Sequence, residues 1–287
     1  MKKQKTVSIK AKLLGVIIPV VIAIVVVLVV AAYQISAGTI KKYSQNLLQS
    51  SVENQASQIE AWLNENLASF QMAKTIIEDL KPSDEELKTI LDGYYGYNSN
   101  YPEGLYVADS TGQLITASES TKKESDVTNS TWYKEGLTRV NMAVGSAYQN
   151  ADGVNVISAS GILNDGSDKV RVISADMTLD RIAIIVNSFI EMNDAEAFLV
   201  DKTSGVILAN RDSSLISQTL GAEGQSHFYQ LTAEKAAEKD YNFATLDGNM
   251  TVFQEVDGTN WLLISYIPTS IVLSDLTQLR NIMIVIS

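Results

Sequence analysis

The sequence predicts an α+β fold in which a membrane-spanning helix and a long stalk helix precede two tandem modules built on antiparallel sheets. Three observations support this prediction. Residues 13–33 are apolar and carry no charge, residues 52–80 repeat apolar side chains with a heptad spacing, and residues 105–118 and 198–210 follow one hairpin-like plan. The chain is therefore expected to combine a membrane anchor with a domain of repeated internal structure.

The apolar run LLGVIIPVVIAIVVVLVVAAY at residues 13–33 is long enough to cross a bilayer. At about 1.5 Å of rise per residue, a helix of this length spans the ~30 Å hydrocarbon core. A cleaved signal peptide is the alternative, since Ala31, Ala32 and Ala37 are small residues near the end of the run. The apolar region of a signal peptide usually covers only about 7–15 residues. We therefore expect an uncleaved anchor.

Lysines before this segment set its orientation. They stand at Lys2, Lys3, Lys5, Lys10 and Lys12. Because positively charged flanks stay on the cytoplasmic side, residues 1–12 are predicted to be cytoplasmic and the chain after Tyr33 to be extracytoplasmic. The protein is thus expected in the cell membrane, with its folded domain outside the cytoplasm.

The composition argues against several classes of function. The net charge is −11 despite the basic N-terminus, so the exported part is not expected to bind nucleic acid or an anionic membrane surface. The chain has no cysteine, which excludes disulfides, thiolate metal sites and a cysteine nucleophile. The one histidine, His227, lies in a polar stretch without a recognisable catalytic or metal partner. We expect no cofactor, no metal and no enzymatic activity, although the scattered carboxylates leave glycosidase-type chemistry open.

The stalk helix is predicted over residues 34–82, and Ser83 and Glu86 form a capping-box pattern that begins the next helix. The apolar side chains of the stalk form a seam: Val52, Ala56, Ile59, Leu63, Phe70, Ala73, Ile77 and Leu80. Asn66 is the polar exception, of the kind that fixes register in a coiled coil. The seam predicts a homodimer through the stalk helix, and it fits equally well a helix that packs on its own domain. Both arrangements are compatible with each other.

Two segments beyond the stalk repeat one another. LYVADSTGQLITAS at 105–118 and FLVDKTSGVILAN at 198–210 each contain an apolar strand, an aspartate, a glycine-containing turn and a second apolar strand. Gly112 and Gly205 supply the turn conformation that other residues resist. Further strands joined by Asp-Gly turns follow each copy. This order predicts modules at 83–178 and 179–268, in preference to one larger α+β domain with a coincidental pair of hairpins.

The apolar run NIMIVIS after Arg280 predicts one more element. We expect residues 269–287 to form a connecting helix and the first turns of a second membrane-spanning helix. A short apolar tail is the alternative.

Trp132 and Tyr133 stand side by side in an otherwise polar stretch, DVTNSTWYKEGL. Adjacent side chains of a regular strand or helix do not face the same side. One of the two aromatics is therefore predicted to face something other than the core. Aromatic rings with a polar atom suit the wall of a ligand pocket.

These residues carry a resemblance to a known family. The stretches Trp132-Tyr133-Lys134, GSAY at 145–148 and ISADM at 173–177, together with the order of elements over residues 41–280, resemble the double Cache (dCache) sensor domains of bacterial methyl-accepting chemotaxis proteins and related transmembrane receptors. The resemblance implies two PAS-like modules, chemotaxis or other signal transduction across the membrane, and a small metabolite bound in the membrane-distal first module. It implies that the pocket is lined by Trp132, Tyr133, Tyr148 and Asp176.

Two positions depart from the amino-acid-binding branch of that family. Ser130 stands where the branch has an arginine for the ligand carboxylate, and Asn150 replaces an acidic residue. A buried Asp176 needs donors or a positive charge. The expected ligands are therefore, in order, a nucleobase or other planar N–H compound, then an amine or amino acid, then a small organic acid. A bare carboxylate would repel Asp176 unless a cation reached it, for which the candidates are Lys122, Lys123 and Arg171.

Other interpretations remain open at this point. Asp176 could instead be the N-cap of a helix that begins at Met177. The domain could instead be the sensor region of a histidine kinase or of a cyclic-dinucleotide enzyme. It could also belong to a membrane-anchored enzyme or to a passive adhesin. In the second module the corresponding stretch, SHFYQLTAEKA, lacks a tryptophan. We therefore expect the ligand in the first module.

Overall fold

The computed structural model describes residues 9–151, 153–188, 192, 194–274 and 276–277. The first helix, α1 (Ile9–Leu80), joins the predicted span and the predicted stalk without a break, and it tolerates Pro19. Its N-terminal part is long and apolar enough to cross a membrane. The helix ends where Lys81 adopts a positive φ of 48° immediately before Pro82. The predicted second span after Arg280 lies outside the described residues.

The capping box predicted after the stalk is present. The Ser83 hydroxyl accepts the backbone N–H of Glu86 at 3.4 Å, and the Glu86 carboxylate accepts the backbone N–H of Ser83 at 2.9 Å. The helix α2 (Asp84–Asp92) follows. Its two buried leucines, Leu87 and Leu91, join the hydrophobic core beside α1.

The first module contains a five-stranded antiparallel sheet in the order β2-β1-β5-β4-β3. Its strands are β1 (Leu105–Asp109), β2 (Leu114–Ile115), β3 (Ala143–Gln149), β4 (Asn155–Leu163) and β5 (Arg171–Thr178). A 3₁₀ turn (Val127–Asn129) and the short helix α3 (Thr131–Gly136) lie between β2 and β3 in the chain. Helix α4 (Asp180–Val186) leads to the second module.

The second module repeats this topology, with strand order β7-β6-β10-β9-β8. Its elements are β6 (Glu196–Asp201), β7 (Ile207–Asn210), a 3₁₀ turn (Ser213–Leu215), α5 (His227–Ala237), β8 (Ala244–Leu246), β9 (Asn249–Val256), β10 (Trp261–Pro268) and α6 (Thr269–Val272). The prediction of two tandem antiparallel modules is thereby confirmed. The residue limits assigned to each module stay a prediction.

The seam of α1 faces the chain's own sheets. All its members except Leu80 are buried in the main hydrophobic core, together with residues from both modules. Asn66 is 4% exposed, and its amide donates to the Trp62 carbonyl of the same helix at 2.7 Å. The helix therefore packs on its own domain, and the prediction that this seam, including Asn66, meets a partner subunit is wrong.

The first module lies toward the C-terminal end of α1. The backbone N–H of Met142 donates to Gln71, and that of Asn164 donates to Glu78. The second module contacts an earlier part of the helix, where Asp257 donates its N–H to Glu60. The first module is thus further along α1 from the apolar N-terminal segment.

Alternate residues of the first sheet face two different cores, as the period of a strand requires. Leu105 and Val107 of β1 join the main core beside α1. Tyr106 and Ala108 point to the opposite face and pack under α3 in a separate aromatic cluster. This second face carries the polar side chains that form the candidate site.

Candidate ligand-binding site

A single buried carboxylate, Asp176, collects four hydrogen-bond donors on the α3 face of the first sheet. Its Oδ1 accepts from the hydroxyls of Tyr106 at 2.5 Å, Ser158 at 2.6 Å and Tyr148 at 3.0 Å. Its Oδ2 accepts from the ammonium of Lys122 at 2.6 Å. The Asp176 side chain is 8% exposed, so this network largely replaces its water shell.

Sheet pairing explains why these residues meet. Ser158 of β4 is the direct cross-strand partner of Asp176 in β5, and Tyr106 of β1 pairs with Ser174, two residues earlier. Tyr148 comes from β3, on the other side of β4. The carboxylate therefore stands in the middle of the sheet, with donors on both sides.

The interpretation of Asp176 as a helix N-cap is wrong. It lies within β5, and α4 begins four residues later at Asp180, after Leu179 at the cap position. The strand continues through Met177 because that side chain joins the main core on the opposite face.

Trp132 and Tyr133 are both buried, at 0% and 3% exposure. The prediction that one of them faces away from the core is wrong, because α3 is covered on more than one side. Val127 of the preceding 3₁₀ turn and Leu114 of β2 belong to the same cluster as the two rings. The Trp132 ring stands edge-on to Tyr106, with centroids 4.9 Å apart. It therefore packs directly beside a residue that donates a hydrogen bond to Asp176.

Helix α3 lies unusually close to the sheet. A Cβ atom on Gly136 would stand 2.3 Å from Cγ1 of Val172, so only glycine fits this position without a shift of the helix. This close approach holds Trp132 against Tyr106.

Burial, and then the neighbouring charge of Asp176, raise the pKa of Tyr106 well above its usual range. The same two causes raise the pKa of Tyr148. Both phenols therefore stay protonated near neutral pH and serve as donors to Asp176.

Lys122 is the cation that reaches the site. Its ammonium also lies 4.3 Å from the centroid of the Tyr106 ring, within the range of a cation–π contact. Arg171 is engaged elsewhere, with Asp165 at 2.8 Å and with Asp84. Lys123 is exposed.

Ser130 and Asn150 lie in turns at the margin of the site. The Ser130 hydroxyl donates to the carbonyl of Val127 at 2.6 Å, just before α3. The Asn150 side chain accepts the backbone N–H of Val154 at 2.9 Å, in the turn between β3 and β4. The structure therefore gathers four of the six predicted site residues into one cluster: Trp132, Tyr133, Tyr148 and Asp176. It gives Ser130 and Asn150 local turn contacts instead.

Tyr106, Ser158 and Glu124 were not singled out in the sequence. Glu124 accepts the indole N–H of Trp132 at 3.3 Å. Tyr106 carried a usable signal, because it is a polar-tipped residue among the apolar residues of β1, and Ser158 alternates with apolar residues in β4. Glu124 lies in a polar loop and offered none.

The second module has a different arrangement on the equivalent face. The pairing of Ala197 with Ser265 matches that of Leu105 with Ala175, so Tyr266 occupies the position that corresponds to Asp176. Its hydroxyl donates to Glu196 at 2.5 Å, and its ring packs against Phe198 and Phe228. Aromatic rings thus fill the region that holds the carboxylate network in the first module.

Within the described part of the chain, no three His, Asp or Glu side chains are grouped so that they could hold a metal ion. The donors around Asp176 are hydroxyls and an ammonium, which suit a charged organic ligand rather than a metal cation.

The family model for the Cache domain (dCache_1) matches residues 32–276. The chain therefore belongs to the Cache domain family, as the sequence resemblance predicted. The comparison with curated protein sequences found no match.

Solved structures of chemoreceptor ligand-binding domains share the fold. The domain of Pseudomonas fluorescens CtaA in complex with L-isoleucine has 20% identity and a TM-score of 0.65, covering 83% of this chain and 98% of its own. The domain of Mlp24 with asparagine has 17% identity and a TM-score of 0.66, covering 83% and 97%. The domain of the Pseudomonas aeruginosa PAO1 amino acid chemoreceptor PctC in complex with GABA has 19% identity and a TM-score of 0.60, covering 78% and 99%.

Proposed function

We propose that this chain is the extracytoplasmic sensor region of a transmembrane chemoreceptor that binds one small organic ligand at Asp176, in the membrane-distal module. The observation that carries the proposal is the buried carboxylate with its four donors beside Trp132. A carboxylate is costly to bury without partners. A buried carboxylate beside an aromatic cluster therefore indicates that its charge serves the function of the domain. Membership of the Cache family supports the same conclusion.

The ligand class we propose is an amine or amino acid, ahead of a nucleobase and of a small organic acid. This order departs from the one that the sequence suggested. Asp176 already accepts an ammonium at 2.6 Å, which fits an organic cation better than a neutral ring N–H. The related domains of known structure were solved with L-isoleucine, asparagine and GABA, each of which carries an amino group.

Tyr148 offers a route from the site to the rest of the receptor. Its hydroxyl donates to Asp176, and the same residue lines a crevice of about 240 Å³ between the two modules, together with Leu179 and Ile207. A ligand that changes the partners of Asp176 would shift Tyr148 and with it this junction. The continuous helix α1 then connects both modules to the membrane segment.

We also propose that the receptor is a homodimer in the membrane, associated through the face of α1 that the domain leaves exposed. Ser57, Ala61, Asn64 and Ala68 lie on that face. Their spacing of three and four residues matches that of a helix–helix seam.

Two other functions are alternatives to a chemoreceptor. The chain could be the sensor region of a histidine kinase or of a cyclic-dinucleotide enzyme, or it could belong to a membrane-anchored enzyme.

A thermal-shift screen of the full chain in lipid nanodiscs tests the proposal. The library consists of amino acids, amines, organic acids and nucleobases. A ligand at about a hundredfold excess over its Kd stabilises the folded state by about 2.7 kcal/mol, which gives a clear rise in melting temperature. Asp176→Asn should abolish the shift, whereas Tyr229→Phe in the second module should retain it. A shift that persists in both Asp176→Asn and Trp132→Ala would place the ligand elsewhere.

A further inference from the structure

Lys122 occupies the position that the ammonium of a ligand would take. Its Nζ lies 2.6 Å from Asp176 Oδ2 and 4.3 Å from the centre of the Tyr106 ring. The side chains of Lys122 and Asp176 are only 7% and 8% exposed, so the pair is nearly removed from water. The charges of Lys122 and Asp176 therefore cancel in this structure, and the chain itself supplies the cation for the carboxylate.

The lysine belongs to a loop rather than to the sheet. Residues 118–125 form no helix or strand. Side-chain contacts hold this loop in place: Ser118 donates to Asp92, and the Ser120 hydroxyl donates to Glu103. Because these bonds lie outside the sheet ladder, Lys122 can leave Asp176 without the loss of any strand pairing.

The charge balance of the pair restricts what can replace it. A simple amine would displace Lys122 from Asp176 and leave the lysine ammonium without its carboxylate. A simple carboxylate could pair with Lys122 but would leave Asp176 with hydroxyl donors and no cation. Unpaired charges in a buried site are strongly unfavourable. A ligand with both an ammonium and an acid group keeps every charge paired, because each group takes one member of the original pair.

We propose that Lys122 is a tethered competitor that determines the specificity of the site. In the free protein it holds Asp176. On binding, the ligand's ammonium replaces it, and the released lysine pairs with the ligand's acid group. Lys122 would thus supply the positive charge that Ser130 cannot. This inference rests on the proposed function, because it requires that a ligand binds at Asp176.

Isothermal titration calorimetry on the full chain in nanodiscs tests the exchange. Each L-amino acid is compared with the amine that lacks its carboxylate, for example L-leucine with isoamylamine and L-phenylalanine with phenethylamine. In the wild type, the amino acid should bind about 100-fold more tightly than its amine. In Lys122→Met the amine should gain about tenfold or more, because its competitor is gone. The amino acid loses both the competitor and the partner of its acid group, so the preference should shrink to about threefold or less.

Two further variants complete the experiment. Lys123→Met removes the same charge from the exposed neighbouring position, and it should leave the preference unchanged. Lys122→Gln removes the charge and retains a neutral donor for Asp176, and its preference for the amino acid should also fall well below the wild-type value. This variant preserves the test if the methionine variant does not fold. An unchanged preference in the folded Lys122 variants, or weaker amine binding, would overturn the exchange.

Asp176→Asn separates this inference from the proposed function. Loss of all binding in Asp176→Asn, together with an unchanged preference in the Lys122 variants, would refute the exchange alone. Binding that survives Asp176→Asn, or no binding of any panel member to the wild type, would refute both.

Discussion

Neutralising either member of the Lys122–Asp176 pair should lower the free energy of unfolding of the unliganded protein. Neutralising both should lower it by far less than the sum of the two single losses. Removal of one partner of a buried ion pair typically costs about 3–5 kcal/mol. In Lys122→Met, Asp176 keeps three hydroxyl donors, so we expect the lower value of about 3 kcal/mol. We expect about 3 kcal/mol for Asp176→Asn as well, because the amide oxygen still accepts from the hydroxyls while the lysine loses its countercharge.

The double variant, Lys122→Met with Asp176→Asn, leaves neither charge of this pair in the site. Its expected loss is about 1–2 kcal/mol, less than that of either single variant, which gives a coupling free energy of about 4–5 kcal/mol between the two positions. Urea unfolding of the full chain in nonionic detergent, followed by tryptophan fluorescence, measures these values. Trp132 packs against Tyr106 and should report on this region directly.

An exposed pair provides the control. Lys202 and Glu255 are 2.5 Å apart, but their side chains are 24% and 51% exposed. The coupling in the corresponding cycle, Lys202→Met with Glu255→Gln, should stay below about 1 kcal/mol. If the losses at Lys122 and Asp176 add within about 0.5 kcal/mol, the buried pair does not form and the reasoning from it is refuted.

Burial alone would raise the pKa of Asp109, but bonds from Lys169 and the adjacent turn outweigh it and lower that pKa to about 2. The ionised carboxyl therefore stabilises the fold fully above about pH 4, and this contribution is lost as the pH falls through about 2. In urea titrations, Asp109→Asn should cost about 2 kcal/mol of unfolding free energy at pH 7 and much less near pH 2, and an equal cost at both pH values would contradict this. In membranes, cysteines placed at exposed Ala61 should crosslink two subunits, whereas those at buried Val52 should not; the reverse pattern would reinstate the buried seam as the interface. Protease added to spheroplasts should digest the chain beyond Ser51 and spare an N-terminal tag, and a protected domain would contradict the predicted orientation.

Local patterns in the sequence predicted most of the fold. The apolar run before Tyr33, the capping box at Ser83 and the glycine turns at Gly112 and Gly205 each depend on neighbouring residues only. Periodicity also identified the buried face of α1. It could not tell what covers that face, since a partner helix and the chain's own sheets require the same apolar spacing. For that reason Asn66 was compatible with a dimer seam, although it lies inside the domain.

The candidate site was only partly predictable, because its contacts join distant segments. The resemblance to the Cache family pointed to Asp176, but its bonds to Tyr106 and Ser158 depend on the pairing of β1 and β4 with β5. Lys122 reaches the carboxylate from an irregular loop, for which periodicity gives no signal. The rule for adjacent residues failed at Trp132 because it assumes a helix with one buried side, whereas α3 packs against both the sheet and the preceding 3₁₀ turn.

The central claim is that the first module binds an organic cation at Asp176, and one affinity ratio tests it most directly. Calorimetry should compare the Kd of the best ligand from the screen for the wild-type chain and for Asp176→Asn. Loss of the buried carboxylate's charge should weaken binding by about 100-fold or more, because a charge pair of this kind is worth about 3 kcal/mol or more. Tyr266→Phe, at the corresponding position of the second module, should change the Kd by less than about twofold. A Kd for Asp176→Asn within about threefold of the wild-type value would contradict the account.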